Sequence, residues 1–347
     1  MVLPNRNRKV VLAQRPRGMP VEDDFRIVDD PVPEAGPGEL IVRAHYLSAD
    51  PFQRMRLDAG SGYGKTLEIG DVIKGRMVGE VVHSNHPDYS VGEFVEGMLG
   101  WQTYAISDGS TERAEYAPGI TKVDPSIAPI STSLGILGFP GVTAYFALLE
   151  ICDPRQGETV VVSGAGGAVG SLAGQLAKIR GCYVVGVAGT DRKLDHVTSE
   201  LGFDAGINYR TTPDLLADLR RLCPNRINVH FDNVGGDIAH AILHHLARNA
   251  RIVLVGNISQ NNLPETPLRP DATGLLMTAR AMTKGFIVYD YENRADEARK
   301  AIAGWLAEGK INYRETVAEG IDQAPSAFIS MLQGGNIGKQ LIRLDDI

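Results

Sequence analysis

The rhythm of apolar and polar residues changes near residue 134. Before it, the chain runs in short alternating stretches such as "ELIVRAHYLSADP" (39–51), "VIKGRMVGEVVHS" (72–84) and "VGEFVEGMLGWQTYAIS" (91–107). Gly and Pro interrupt them about every ten residues, the spacing of a compact β barrel or sandwich. After it, "YFALLEI" (145–151) reads as a helix, and unbroken Val/Ile-rich strands then alternate with amphipathic helices. Strands are predicted over 159–164, 182–189, 205–210, 227–234, 250–259 and 284–291. Helices are predicted over 169–180, 192–202, 214–223, 237–247 and 296–309, with Gly181 and Gly202 as C-terminal stops. Strands with no polar face belong to a parallel sheet covered by helices on both sides. The expected division is 1–133 and 134–311, with the tail 312–347, which carries "GGNIGKQLIRL", rejoining the first domain.

The first strand–helix junction carries candidate chemistry. Gly164, Gly167 and Gly170 form GxxGxxG between a predicted strand and a predicted helix. That context makes the pattern a dinucleotide site: glycine permits the tight turn, a close backbone approach to pyrophosphate, and helix–strand packing. The helix start at Ala168 and Val169 adds unpaired N–H groups and a positive dipole end. NAD enzymes end the second strand in a carboxylate for the ribose hydroxyls. Here the strand ends in Gly189-Thr190, with Asp191 followed by Arg192 and Lys193. A neutral strand end beside cations suits a 2′-phosphate, so NADP(H) is expected, with Lys193 as first phosphate partner and Arg192 as second. Asp191 argues the other way.

The chain has 347 residues, 43% of them hydrophobic, and a net charge of −7. This gives no electrostatic reason for a nucleic-acid or anionic-membrane partner. No apolar run is long enough to span a bilayer. The N-terminal "MVLPNRNRKVVLAQRPRG" lacks the apolar core of a signal peptide; its arginines would suit a transit segment, its alternation a first strand. The expectation is a cytoplasmic protein. Cys152, Cys182 and Cys223 are scattered and read as reduced, buried apolar residues. No Cys precedes Cys152, the pair His83 and His86 reads as a polar turn, and His240, His244 and His245 share one predicted helix without an HExxH pattern. No metal is expected.

Across nearly its whole length the sequence resembles the zinc-independent double-bond reductases of the medium-chain dehydrogenase/reductase superfamily: prostaglandin reductase, plant alkenal reductase and, nearest, bacterial curcumin reductase. The matching stretches include "YLSADPFQRMR", "GFPGVTAYFALLEI", "GAGGAVGSLAGQLAKIRGCYVVGVAGTDRK", "LGFDAGINYR", "FDNVGG", "VGNIS", "KGFIVYDY" and "GGNIGKQLIRL". The resemblance implies a Rossmann unit, doubly wound, joined to a GroES-like β-barrel domain. It implies NADPH-dependent reduction of the C=C bond of α,β-unsaturated ketones or aldehydes, and a homodimer paired through an edge strand near "ARIVLVGN" (250–257). Gly167, Ala168, Val169 and Gly170 would face the pyrophosphate; Lys193 and Tyr209 the 2′-phosphate. Thr143 would lie by the nicotinamide. Asn233, Gly256, Asn257, Ile258, Ser259, Phe286, Ile287, Val288 and Asn336 would also reach the cofactor, although Phe286 and Val288 equally suit a strand core, and Asn233 and Asn336 suit turns.

The resemblance departs at "SQNN", where Asn261 stands in place of a tyrosine commonly assigned to the enolate. Asparagine can donate a hydrogen bond but is no useful acid. Tyr63 in "GSGYGK" is the candidate phenol, with Tyr289 and Tyr291 behind it. Phe52 and Gln53 also depart, where relatives often show Tyr and Met, so a shifted substrate range is expected. Two alternatives stand beside the enone reductase: an NADPH-dependent quinone reductase of the same superfamily, and a non-enzymatic NADPH-binding protein.

Overall fold

The computed structural model describes residues 6–59, 66–110, 119–263, 265 and 267–344. The chain forms two compact units. One comprises Met1–Leu134, Glu315–Asn336 and Gln340–Ile347; the other comprises Gly135–Arg314 and Ile337–Lys339.

The first unit begins with an antiparallel hairpin, β1 (Asn7–Leu12) and β2 (Phe25–Asp30). It continues through β3 (Leu40–Ser48), α1 (Phe52–Arg56), β4 (Met77–Ser84), β5 (Phe94–Gly97), β6 (Tyr104–Ser107) and β7 (Ile120–Val123). Its core is mostly aliphatic around an aromatic cluster: Phe328 meets Phe25 and Trp101 edge-on, at 6.1 and 5.7 Å between ring centroids. The Trp101 indole N–H is satisfied by Ser48 O at 3.0 Å. Arg76 and Glu96 form an ion pair, both side chains being buried.

In the second unit, α2 (Phe139–Phe146) runs into a π-helical turn, Ala147–Cys152. The alternating region follows: β8 (Thr159–Ser163), α3 (Ala168–Ile179), β9 (Tyr183–Ala188), α4 (Asp191–Asp195), β10 (Ala205–Asn208), α5 (Leu215–Leu222), β11 (Ile227–Asp232), α6 (Gly236–Leu243), β12 (Leu246–Leu254), α7 (Thr273–Ala279), β13 (Met282–Gly285) and α8 (Ala295–Ala307). The sheet order is β10-β9-β8-β11-β12-β13, and the pairs are parallel. In chain order this is third, second, first, fourth, fifth, sixth, the doubly wound arrangement whose direction reverses between β8 and β11. The chain then returns through β14 (Glu315–Glu319), α9 (Ala324–Leu332) and β15 (Lys339–Arg343), which pairs antiparallel with β3.

The strand expected over 250–259 is shifted to Leu246–Leu254, and two other predicted elements are redrawn. The helix expected over 237–247 stops at Leu243, because His244 caps it and Leu246 already pairs with Ile227 as the start of β12. The strand expected over 284–291 is earlier and shorter, and Val288–Arg294 is a 3-10 helix. The cause is aromatic packing: Tyr291 stacks on Phe286 at 5.2 Å and on Phe146 at 4.7 Å. Two residues five apart cannot lie face to face along an extended strand, so the chain turns between them.

Candidate functional site

The predicted cofactor residues of the second unit, Thr143 apart, sit beyond the C-terminal ends of its parallel strands, where open α/β sheets bind ligands. Gly164 follows β8, Lys193 lies in α4 after β9, Tyr209 follows β10, Asn233 follows β11, Gly256 to Ser259 follow β12, and Phe286 to Val288 follow β13. Thr143 is buried in α2.

The glycine turn is as tight as the sequence demands. Gly164 has φ +64°, a conformation that other residues rarely adopt. A Cβ on Gly170 would stand 2.4 Å from Gly164 O, so no side chain fits there. Gly167 caps α3, and its N–H donates to Gly164 O at 3.0 Å. The returning chain closes over this turn: Gly338 N–H donates to Gly166 O at 2.8 Å, and Gly167 and Gly338 form a parallel bridge. Asn336 is buried, two residues ahead of Gly338.

The end of β9 collects positive charge. The stem of Lys193 lies over Gly166, whose added Cβ would meet it at 2.9 Å. A Cβ on Gly189 would stand 3.0 Å from the Tyr209 hydroxyl and 3.1 Å from Arg210 Nε. Tyr209 and Arg210 thus flank a strand end that has no side chain of its own, and Lys193 lies over the glycine turn beside it. Burial, and then the Arg210 charge, lower the Lys193 ammonium to about 8. Removing an ammonium from water beside a second cation disfavours its charge, and a bound anion would restore it. Arg192 is exposed on α4. Asp191, the residue that argued for NAD, is engaged: its Oδ1 accepts from Asn208 Nδ2 at 2.7 Å. Arg210 was not singled out from the sequence. The available signal was its place directly after Tyr209 at the end of the third strand.

Beyond β11 and β12 two loops are laced together. Asn233 Nδ2 donates to Ser163 O at 2.7 Å, and Ser259 donates to Val234 O through both its N–H (3.1 Å) and its hydroxyl (2.7 Å). A Cβ on Gly235 would stand 2.1 Å from Asn257 Oδ1. Asn261 lies in the turn that follows, its N–H donating to Ile258 O at 3.3 Å. Phe286 is a core residue, stacked on Tyr291, while Ile287 is exposed and Val288 half-buried. Tyr291 is committed to that stack, with its hydroxyl on Glu150, so it is no pocket phenol. Tyr289 packs edge-on against Phe139. Tyr63 lies outside the described residues.

The histidines do not converge. His245 Nε2 meets Cys223 O at 2.8 Å in the interior, whereas His240 and His244 meet each other at 3.4 Å. His86 accepts from Asp88 N–H within its turn. Among the described residues no three His, Cys, Asp or Glu are grouped as metal ligands. The three cysteines are buried, and desolvation pushes Cys152 and Cys223 up to about 12 and Cys182 to about 11.

The chain is similar to known oxidoreductases over nearly its whole length. Residues 8–114 match the family described as N-terminal domain of oxidoreductase, and residues 168–304 the family described as zinc-binding dehydrogenase. The NADPH-dependent curcumin reductase of Escherichia coli is 42% identical over 98% of this chain and 97% of its own length. The NADP(+)-dependent 2-alkenal reductase of Nicotiana tabacum is 38% identical over 97% of each. The crystal structure of CurA from Vibrio vulnificus in complex with NADPH superposes with a TM-score of 0.91 at 39% identity, covering 98% of this chain and 100% of that one.

Proposed function

The chain belongs to the double-bond reductase branch of the medium-chain dehydrogenase/reductase superfamily, and on that premise we propose that it reduces the C=C bond of α,β-unsaturated ketones and aldehydes with NADPH as reductant. The observation that carries the reading is the strand end at Gly189, flanked by Tyr209 and Arg210, with Lys193 over the glycine turn close enough to feel the Arg210 charge and the carboxylate of Asp191 held by Asn208. The residues fit the cofactor: Gly170 lets the start of α3 pack against the turn at Gly164, the close strand–helix junction a pyrophosphate site needs, and the cations suit a 2′-phosphate.

When bound, NADPH supplies the hydride that reduces the β-carbon, leaving negative charge on the carbonyl oxygen. This chain's residues do the rest. Lys193 and Arg210 hold the phosphate, and Tyr209 donates to it. The N-terminus of α3 directs N–H groups at the pyrophosphate. Thr143 orients the nicotinamide end, and Asn233 lies beside the cofactor with its amide held by Ser163 O. A donor aimed at the developing oxyanion lowers the barrier; Asn261 can donate but cannot protonate, and Tyr63 supplies the proton. The unit of residues 1–133 with the returning tail binds substrate.

The protein works as a cytoplasmic homodimer. The strand expected to pair, near "ARIVLVGN", is β12 and lies in the interior, flanked by β11 and β13; of the two edge strands, β10 and β13, the pairing is assigned to β13. All four β13 residues are exposed, Met282 by 51%. An open edge of this kind is what a twofold-related strand would cover. A monomer on gel filtration would remove this part of the reading.

The test is NADPH oxidation by purified, chelator-treated protein with a simple enone, repeated with NADH and with a quinone. Fast turnover of the enone with NADPH, slow turnover with NADH and indifference to the chelator are expected. No enone turnover with either cofactor would refute the proposal.

A further inference from the structure

The sheet of the second unit contains a short polar stripe in its interior. Ser163 and Asp232 are the last residues of β8 and β11, side by side where the sheet reverses direction. They are 0% and 2% exposed. His230, two residues earlier on the same face, is 1% exposed. Neither carboxylate nor hydroxyl can reach a ligand from that depth, yet they hold almost everything beyond them. One oxygen, Asp232 Oδ1, accepts from the Ser163 hydroxyl at 2.8 Å, from Val234 N–H at 3.0 Å and from Gly235 N–H at 2.9 Å. Ser163 Oγ in turn accepts from Asn233 N–H at 2.9 Å. Three consecutive N–H groups, 233 to 235, therefore point at this pair.

The order passes on. Val234 O, fixed by this turn, receives the N–H and hydroxyl of Ser259. The backbone carbonyl of Asp232 receives Val255 N–H at 2.8 Å and Gly256 N–H at 3.1 Å. His230 does not share the load. Its Nε2 is 3.8 Å from Asp232 Oδ1, beyond hydrogen-bond range, and burial lowers its pKa so that the ring is neutral. The charge of Asp232 is thus met by N–H and O–H donors. A carboxylate is suited to this because it accepts several donors at once and offers none, and charge-assisted bonds are about twice as strong as neutral ones.

We propose that Asp232, acting through Ser163, is the positioning residue of the cofactor site: it sets the conformation of residues 233–235 and, through Val234, of residues 256–259, without touching the cofactor. The proposal rests on the NADPH reading above. A residue that merely closes the fold would lower thermal stability and leave the kinetics of the folded enzyme unchanged. A positioning residue separates the two substrates, because both loops it orders lie on the cofactor side.

The experiment compares the parent with Asp232→Ala, Asp232→Asn and Ser163→Ala by thermal melting, by fluorescence titration with NADPH, and by steady-state kinetics varying NADPH and enone separately. Asp232→Ala is expected to raise KM for NADPH about tenfold or more, with KM for the enone unchanged. Asp232→Asn, which keeps the accepting oxygen, recovers most of the loss; Ser163→Ala falls between. Unchanged NADPH affinity in folded Asp232→Ala overturns the proposal. If that variant does not fold, unchanged NADPH affinity in both Asp232→Asn and Ser163→Ala overturns it equally. A parent that binds no NADPH at all refutes the functional reading itself, and is recognised before any variant is made.

Discussion

Lys193 gives the cofactor reading its sharpest test. Desolvation, followed by the charge of Arg210, lowers its ammonium from 10.5 to about 8, so in the free enzyme the side chain is half neutral near that pH. A phosphate dianion against Nζ favours the charged form, and the bound lysine keeps a proton that the free one has given up. The sign follows. Well below pH 8 the ammonium exists before binding and affinity is flat; above it, binding must take up a proton and affinity falls. Between about pH 7 and about pH 9 the charged fraction drops from about nine-tenths to about one-tenth, so Kd for NADPH should rise about tenfold, ~1.4 kcal/mol. The phosphate adds little slope of its own, since its second pKa is about 6. NADH has no 2′-phosphate and should show no such slope. Lys193→Ala removes a charge-assisted bond of about 1.5–3 kcal/mol, raising KM for NADPH roughly 10- to 150-fold and abolishing the pH slope. Fluorescence titrations of both cofactors across this range, on parent and variant, measure each quantity. Parallel profiles for NADPH and NADH, or a slope that survives in Lys193→Ala, would refute the reasoning.

Three further outcomes are expected. Gly170→Ala places a methyl 2.4 Å from Gly164 O, so NADPH affinity should be lost while the circular dichroism spectrum is kept; unchanged binding would show that the turn tolerates a side chain. Phe286→Ala empties the aromatic stack and should cost about 3–5 kcal/mol, read as a fall of several degrees or more in the melting midpoint; a variant melting with the parent contradicts the core role. Tyr63→Phe should slow enone turnover about 100-fold at unchanged NADPH affinity, and equal turnover removes Tyr63 as proton donor.

What was legible in the sequence follows the range of the forces involved. The glycine turn and the strand–helix alternation are local: Gly164, Gly167 and Gly170 impose their geometry within seven residues, and Gly181 and Gly202 take the positive φ of helix stops. Arg210 was not legible as a neighbour of the second strand's end because its place depends on β9 and β10 lying side by side, which brings it to Gly189 across the sheet. The same holds for Asp232, whose partners lie about 70 residues back at Ser163 and immediately ahead at 234 and 235. The stretch 284–291 read as a strand because its apolar residues suit one; the stacking of Phe286, Tyr291 and Phe146 overrides that preference with a tertiary contact. The spacing of His240, His244 and His245 could not reveal that the third turns inward to Cys223 O.

The segment Ile337–Lys339 belongs to the unit of the glycine turn, although roughly 170 residues separate them in the chain. Gly338 must approach so closely that a methyl there would stand 1.8 Å from Arg314 O. This sets an order on biosynthesis. A nascent chain halted ahead of residue 337 carries every glycine of the turn and every strand of the parallel sheet, and lacks the backbone that latches them. NADPH binding by ribosome-bound chains that end before and after residue 337 therefore measures how much of the site that latch supplies.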